Sequence, residues 1–405
     1  MADLNQFPLR PGFGKDEFDD LLKFAFESGV SDISVQTNSP VMFHLHGSLI
    51  PVTTRTVQHY EMKALAVTLY YGMDNALSLL AGGRDLDPRY EFNTGRGQKL
   101  GFRVNITQCR VNGEQQGIAV TMRALPQKPR SLTELKRPAP LADAMFQSQG
   151  CVIVVGSTGS GKSTLLAGAI RETLETSDDH KIMTYERPIE YTYDAVACRP
   201  TNIIRQHEIG VHLGSFSAGV RNALRCAPTE ILVGESRDQE TIDATIEATL
   251  TGHATYTTVH AETVGGAISR MVQSYDYQAH SSISEKLISA TRLIVVQRLA
   301  KNINGDGRVA INEWMVFGKS EKRELASVKS DSLAAFVDAM VLERGTSMAH
   351  HAAFEYGRGS ISLEVAATAA GVMPSDIERL VKECNPLNFE TREERAARMA
   401  STNGK

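Results

Sequence analysis

The sequence predicts a mixed α/β fold: a domain wound around a parallel sheet, preceded by a small α+β domain and followed by helices. Three observations carry this. Four short, nearly continuous apolar runs at 151–155, 182–185, 231–233 and 255–259 are separated by helical patterns. Strands buried on both faces, as in a parallel sheet, read this way. The first run leads straight into a glycine-rich string that opens a helix-forming stretch. Before residue 125 the texture differs, with apolar and polar residues alternating as in half-buried antiparallel strands.

Taken in order, Phe18, Leu21, Leu22, Ala25 and Phe26 mark one face of a helix that Gly29 stops. Ile33 and Val35, then Val41, Phe43 and Leu45 before a turn at His46-Gly47-Ser48, predict short strands. Leu100, Phe102, Val104 and Ile106 predict another, as do Ile118, Val120 and Met122. Together these define an α+β domain over 1–125. Pro126, Pro129, Pro138 and Pro140 make 126–140 a linker. The α/β domain is expected over 141–320 and a helical region over 321–384, with Ser375 or Asp376 capping a helix that reaches about Cys384. The segment 385–405 has few apolar residues and reads as a mobile tail.

Composition narrows the function classes. The 405 residues are 42% hydrophobic and 22% charged, ordinary for a globular chain of two or three domains. Forty-three Lys and Arg against 47 Asp and Glu give a net charge of −4, so no bulk attraction to DNA or to an anionic membrane is expected. No apolar run approaches the roughly 20 residues of a membrane span. Residues 1–14 lack the pattern of a secretory signal, and the five cysteines include no C-x-x-C pair. A reduced, cytoplasmic setting is the expectation.

The chemistry begins at Gly156-Ser157-Thr158-Gly159-Ser160-Gly161-Lys162-Ser163-Thr164, which satisfies G-x-x-x-x-G-K-[S/T]. Glycines let the backbone curl until successive N–H groups face an anion, and the following helix points its positive end at the same place. Lys162 would reach the β- and γ-phosphates of ATP, and the Ser163 hydroxyl would hold Mg²⁺. Chance produces such a match in roughly one chain of this length in a hundred.

In an open parallel sheet ligands bind at the carboxyl ends of the strands. Glu186, Glu235 and His260 follow three of the predicted strands and so share an edge with the phosphate loop. ATP hydrolysis needs an oriented water and a metal held by a second group, tasks suited to Glu186 and Glu235, with Glu235 on the Mg²⁺ side directly or through water. Glu190 is a nearby third carboxylate. His260 is read as a γ-phosphate sensor, as the holder of the catalytic carboxylate, or as a hydrogen-bonded core histidine; His253 is a further candidate. Transition-state charge calls for arginines. Arg221 and Arg225 lie four apart on a helix predicted over 216–226, and Arg103 and Arg123 lie on polar faces of first-domain strands. The run Asn302-Ile303-Asn304-Gly305-Asp306-Gly307 with Glu313 nearly fits a calcium loop, but its flanks read as strands, so a turn between strands accounts for the letters.

These motifs together resemble the secretion/pilus ATPase superfamily of type II and type IV secretion, type IV pili and conjugation. The phosphate loop is followed by Thr184-Tyr185-Glu186-Arg187-Pro188-Ile189-Glu190, by Ile231-Leu232-Val233-Gly234-Glu235-Ser236-Arg237-Asp238, and by Thr251-Gly252-His253 with Thr258-Val259-His260. In that order they look like the family's acidic box, metal-side acidic motif and histidine box. Ser31-Asp32-Ile33 and Phe102-Arg103-Val104-Asn105 look like its N-terminal domain. The branch it most resembles is that of the DotB/TraJ ATPases of type IVB secretion and plasmid transfer, on 172–178, 189–194 and 219–225. Arg187 and Thr229 depart from the residues usual in retraction motors.

The resemblance implies a RecA-like core with a PAS-like first domain. It also implies a homohexamer, ATP held between two domains, and partners in an inner-membrane secretion or conjugation complex through which the chain is peripheral to the membrane. Arg103, Arg123, Arg221 and Arg225 match family positions near the phosphates. The alternatives are a pilus retraction ATPase, a nucleotide-gated scaffold and a DNA motor. Direct nucleic-acid contact is not expected, because no basic–aromatic stripe accompanies the slight acidity.

Overall fold

A computed structural model describes residues 7–45, 48–95, 98–305 and 307–403. His46, Gly47 and Asp306 lie outside the described residues. The chain divides into two compact units, Met1–Lys128 with Arg187–Ala195, and Pro129–Glu186 with Val196–Lys405. No described helix is long and apolar enough to cross a membrane.

In the first unit, α1 (Lys15–Glu27) buries Phe18, Leu21, Leu22 and Ala25 and stops at Ser28, where Gly29 takes φ +69°. Three strands follow: β1 (Asp32–Gln36), β2 (Met42–Leu45) and β3 (Ser48–Pro51). Helices α2 (His59–Leu69) and α3 (Ala76–Ala81) precede β4 (Arg89–Gly95), β5 (Gln98–Val111) and β6 (Glu114–Leu125). The sheet runs β3-β2-β1-β6-β5-β4 with antiparallel pairing throughout. Phe18, Phe43, Phe102 and Ile106 lie in its core. β4 escapes the periodicity because Arg89, Glu91 and Asn93 alternate with aromatic residues too few to mark a strand.

The second part of this unit was not legible. Arg187–Ala195, read as part of the α/β domain, groups with the first unit instead. The Arg89 guanidinium, with its side chain only 9% exposed, donates to the carbonyls of Ile189 and Glu190 at 3.0 and 3.1 Å. Lys99 reaches Asp194 at 3.2 Å, and Ile189, Tyr191 and Tyr193 are buried. A peptide that satisfies its carbonyls on a neighbouring sheet is invisible to hydrophobic spacing.

The second unit starts with α4 (Ala139–Ala144) inside the stretch read as linker and continues into β7 (Gly150–Val155), α5 (Lys162–Thr176), β8 (Lys181–Glu186) and β9 (Ile203–Glu208). Next come α6 (Phe216–Ala223), β10 (Glu230–Val233), α7 (Gln239–Leu250), β11 (Ala254–Val259), α8 (Val264–Val272) and α9 (His280–Ala290). β12 (Thr291–Lys301) and β13 (Arg308–Val316) form an antiparallel pair. The helices α10 (Lys319–Leu325), α11 (Ser330–Glu343), α12 (Met348–Gly357), α13 (Leu363–Ala370), α14 (Pro374–Glu383) and α15 (Arg392–Asn403) complete the chain.

The sheet order is β13-β12-β7-β11-β10-β8-β9, parallel except at β13. The strands on either side of the predicted turn, β12 and β13, pair antiparallel up to Lys301 and Arg308, and Glu313, mid-β13, accepts from the N–H groups of Val264 and Met348 at 3.1 Å each. Two expectations fail at the C-terminal end. Helix α14 is capped at Met373, whose N–H the Asp376 carboxylate accepts at 3.3 Å, so Asp376 lies inside the helix. Over 385–403 the supposed tail carries a buried ring and a helix. Phe389 is 1% exposed, with its ring centroid 4.7 Å from that of His351 and 5.4 Å from that of Trp314. α15 ties Arg392 and Arg395 to Asp143, and Arg392 to Glu172. One aromatic anchor and a row of arginines replace the apolar face that sequence reading looked for.

Candidate functional site

The phosphate loop lies where its motif requires, between β7 and α5. Gly156, Gly159 and Gly161 have φ of +150°, +78° and +86°. At Gly161 the need for glycine is double: the left-handed backbone disfavours a side chain, and a Cβ would stand 2.8 Å from Gln297 Nε2. Ser157, Thr158 and Gly159 are exposed at the loop tip, and Ser163 is exposed in the first turn of α5. Thr164 follows it, half-buried. Lys162 donates from Nζ to the carbonyls of Gly156 and Ser157 at 2.9 and 3.0 Å, so its charge sits over the loop. The Ser160 hydroxyl is buried without a hydrogen-bond partner.

The carboxylates reach the same sheet edge by strand order. β11 lies beside β7 and β10 beside β11, so with strands about 4.8 Å apart the end of β10 starts roughly 10 Å from that of β7. Gly234 allows the close passage that follows. Its N–H donates to Tyr185 O at 2.8 Å, and a Cβ would come 3.3 Å from Glu186 Cα. The Ser236 N–H donates to Thr258 O at 3.0 Å and the Thr258 hydroxyl to Gly234 O at 2.7 Å, clamping the backbone on either side of Glu235 to β11. Glu235 lies 3.8 Å from His260 Nε2 and 4.0 Å from Arg237.

Glu186 ends β8 and is held by residues that motif reading did not single out. The buried Thr184 hydroxyl donates to its Oε1 at 2.6 Å and Gln206 Nε2 to the same oxygen at 3.3 Å. Thr184 stands two residues earlier on the same face of the strand, a spacing legible in principle. Gln206 comes from β9, an edge strand whose exposed Ile203 and polar neighbours hide it.

Other candidates separate. His260 is exposed at the end of β11 near Glu235, which excludes a core histidine. His253 precedes β11 at the opposite end of the sheet, where its Nδ1–H donates to the Ala248 carbonyl at 3.0 Å and finishes α7. Helix α6 ends at Ala223, two residues short of Arg225, so Arg221 and Arg225 do not share a helical face as expected. The Asn222 carbonyl takes the Arg225 N–H in a tighter turn. Arg221 pairs with Glu240 at 3.0 Å. In the first unit Arg103 and Arg123 face each other across β5 and β6; Arg103 lies 3.4 Å from Glu190 and Arg123 2.7 Å from Asp32.

The donor set fits a nucleotide with Mg²⁺. A glycine nest, a lysine over it and a helix N-terminus suit phosphates. Mg²⁺ on a nucleotide takes one or two protein oxygens and keeps its remaining partners among phosphates and waters. The exposed Ser163 hydroxyl and the Glu235 carboxylate are oxygen donors of the right kind.

Known proteins resemble this chain in sequence and fold. The model of the family described as "Type II/IV secretion system protein" matches residues 16–398. The crystal structure of the Legionella pneumophila ATPase DotB superposes with a TM-score of 0.83 at 34% identity, covering 95% of this chain and all of that one. That of the pilus retraction motor PilT with bound ADP gives 0.74 at 26% identity, covering 89% and 98%. The type IV pilus retraction ATPase PilT of Pseudomonas aeruginosa is 30% identical over 79% of this chain and 88% of its own length. With its RecA-like core, its phosphate loop and these relatives, the chain belongs to the type II/IV secretion system protein family, the secretion and pilus ATPases.

Proposed function

We propose that this chain is a cytoplasmic ATPase motor that powers a type IVB secretion or conjugative plasmid-transfer apparatus, working as a homohexamer bound to the membrane through that apparatus. The reading is carried by one observation: Gly156–Lys162, Glu186, Glu235 and His260 occupy a single carboxyl edge of one parallel sheet. In it the loop N–H groups and Lys162 bind the phosphates, Ser163 and Glu235 hold Mg²⁺, and Glu186 orients the attacking water. When bound, Mg²⁺ supplies neutralisation of developing phosphate charge. His260 holds the Glu235 carboxylate. Arg221 and Arg225 from the second unit, and Arg103 and Arg123 from the first, supply positive charge to the transferring phosphoryl group.

Binding favours one domain arrangement over another, and that differential affinity is what ATP contributes to movement. The likeness to DotB over nearly the whole of both chains supports the secretion assignment. The PilT likeness supports a second reading, a pilus retraction ATPase.

ATP turnover by the purified protein and two variants tests the chemistry. Lys162→Ala abolishes turnover and weakens ATP binding; Glu235→Gln binds ATP and leaves turnover at background. Appreciable turnover by Glu235→Gln removes the role given to that carboxylate. Restoration of pilus retraction in a strain lacking its retraction ATPase would select the second reading.

A further inference from the structure

Gln297 lies in β12, beside β7, and is 2% exposed. Both ends of its amide are used. Nε2 donates to the Ser160 carbonyl of the phosphate loop at 2.7 Å. Oε1 accepts from Asn312 Nδ2 at 3.2 Å and from Arg137 Nη1 at 3.3 Å. Asn312, fully buried on β13, accepts through Oδ1 from the same guanidinium nitrogen at 3.1 Å.

Arg137 comes from the stretch just before α4 and is 8% exposed. Its hydrogen-bond partners are amide oxygens, not carboxylates, and its Nε is buried without a partner. Burial pushes the guanidinium down to about 10. A buried cation partnered in this way is a costly arrangement for stability alone.

The geometry gives it a task. A side-chain amide can present oxygen or nitrogen in either direction. With its NH₂ turned inward, Gln297 would set donor against donor at Arg137 and Asn312. The guanidinium therefore fixes Oε1 inward and Nε2 outward, so that a donor meets the Ser160 carbonyl. A trans peptide sends its C=O and N–H to opposite sides. Holding the Ser160 carbonyl toward β12 turns the Gly161 N–H away from β12.

We propose that Gln297, oriented by Arg137 and Asn312, is a positioning residue that sets the Ser160–Gly161 peptide of the phosphate loop to receive a nucleotide's phosphates. The proposal rests on the ATP-binding reading above and adds three residues outside the motif to it.

The test uses the full-length protein, a fluorescent ATP analogue with Mg²⁺, and thermal unfolding. Gln297→Glu keeps the shape and pairs with Arg137, but it sets a carboxylate oxygen against the Ser160 carbonyl. The expected result is a melting temperature at or above that of the wild type with about tenfold weaker nucleotide binding, changes that a purely structural residue would not separate. Arg137→Met is expected to weaken binding as well, and no further in a Gln297→Leu background, because both act through one amide. Wild-type affinity in Gln297→Glu, affinity lost only in step with melting temperature, or additive losses in the double variant each overturn the proposal. Lys162→Ala is the control. If that variant loses binding while Gln297→Glu does not, the ATP reading stands and this inference falls; a wild-type chain that binds no analogue overturns both.

Discussion

At the scale of single residues, Glu186 and the phosphate loop are held by neighbouring side chains. The Thr184 hydroxyl fixes Glu186 at 2.6 Å, with Gln206 Nε2 farther off at 3.3 Å. Thr184→Val is isosteric and leaves the loop untouched. It is expected to lower kcat about tenfold with ATP binding retained, as misplacement of a water-orienting group does; steady-state turnover beside analogue titration checks it. A different residue governs acid tolerance. Burial by itself would raise the Glu321 carboxyl, but its own backbone N–H, the Arg344 guanidinium at 2.7 Å and the Ser320 hydroxyl outweigh that and hold it at about 2. A folded-state value below the unfolded one contributes stability that is present above about pH 4.5 and lost as pH falls toward 2. Glu321→Gln is expected to flatten that acid limb by on the order of 1 kcal/mol in urea unfolding at pH 3 against pH 7.

At the scale of elements, the C-terminal segment is where packing and pattern part company. One ring, Phe389, seats the chain against Trp314, His351 and Phe354 before α15 begins. Phe389→Ala is expected to cost about 3 kcal/mol and to detach α15, measured as lower stability and earlier cleavage by a protease near residue 390. The sequence made the central strands plain, because β7, β8, β10 and β11 are flanked on both faces and need unbroken apolar runs. It made the phosphate loop plainer still, since only glycines tolerate that backbone. It hid β9, which lies on an edge, and α15, whose partners are the distant Asp143 and Glu172. It hid Arg137 and Gln297 for the same reason: their hydrogen bonds close over 160 residues or more, from Arg137 to Gln297 and Asn312. Glu186 and Glu235 were legible as strand ends, while the donors that orient Glu186 became visible only with the sheet order.

At the scale of the whole molecule, the first unit is not the product of the first 128 residues alone. Arg89 spends its buried guanidinium on Ile189 and Glu190, and Tyr191 and Tyr193 bury their rings in the same short peptide. A fragment ending at Lys128 leaves that guanidinium without its two carbonyls. It is expected to melt below the same fragment supplied with a peptide spanning 187–195, and a melting temperature unmoved by the peptide would deny the segment this role. The chain therefore passes between its two units at three places, after Lys128, after Glu186 and after Ala195. Severing the proline-rich connection would leave the halves still covalently joined. The second of these crossings begins at the peptide bond that leaves Glu186, so a pull on that tether would act first on the backbone of the residue proposed to orient the water.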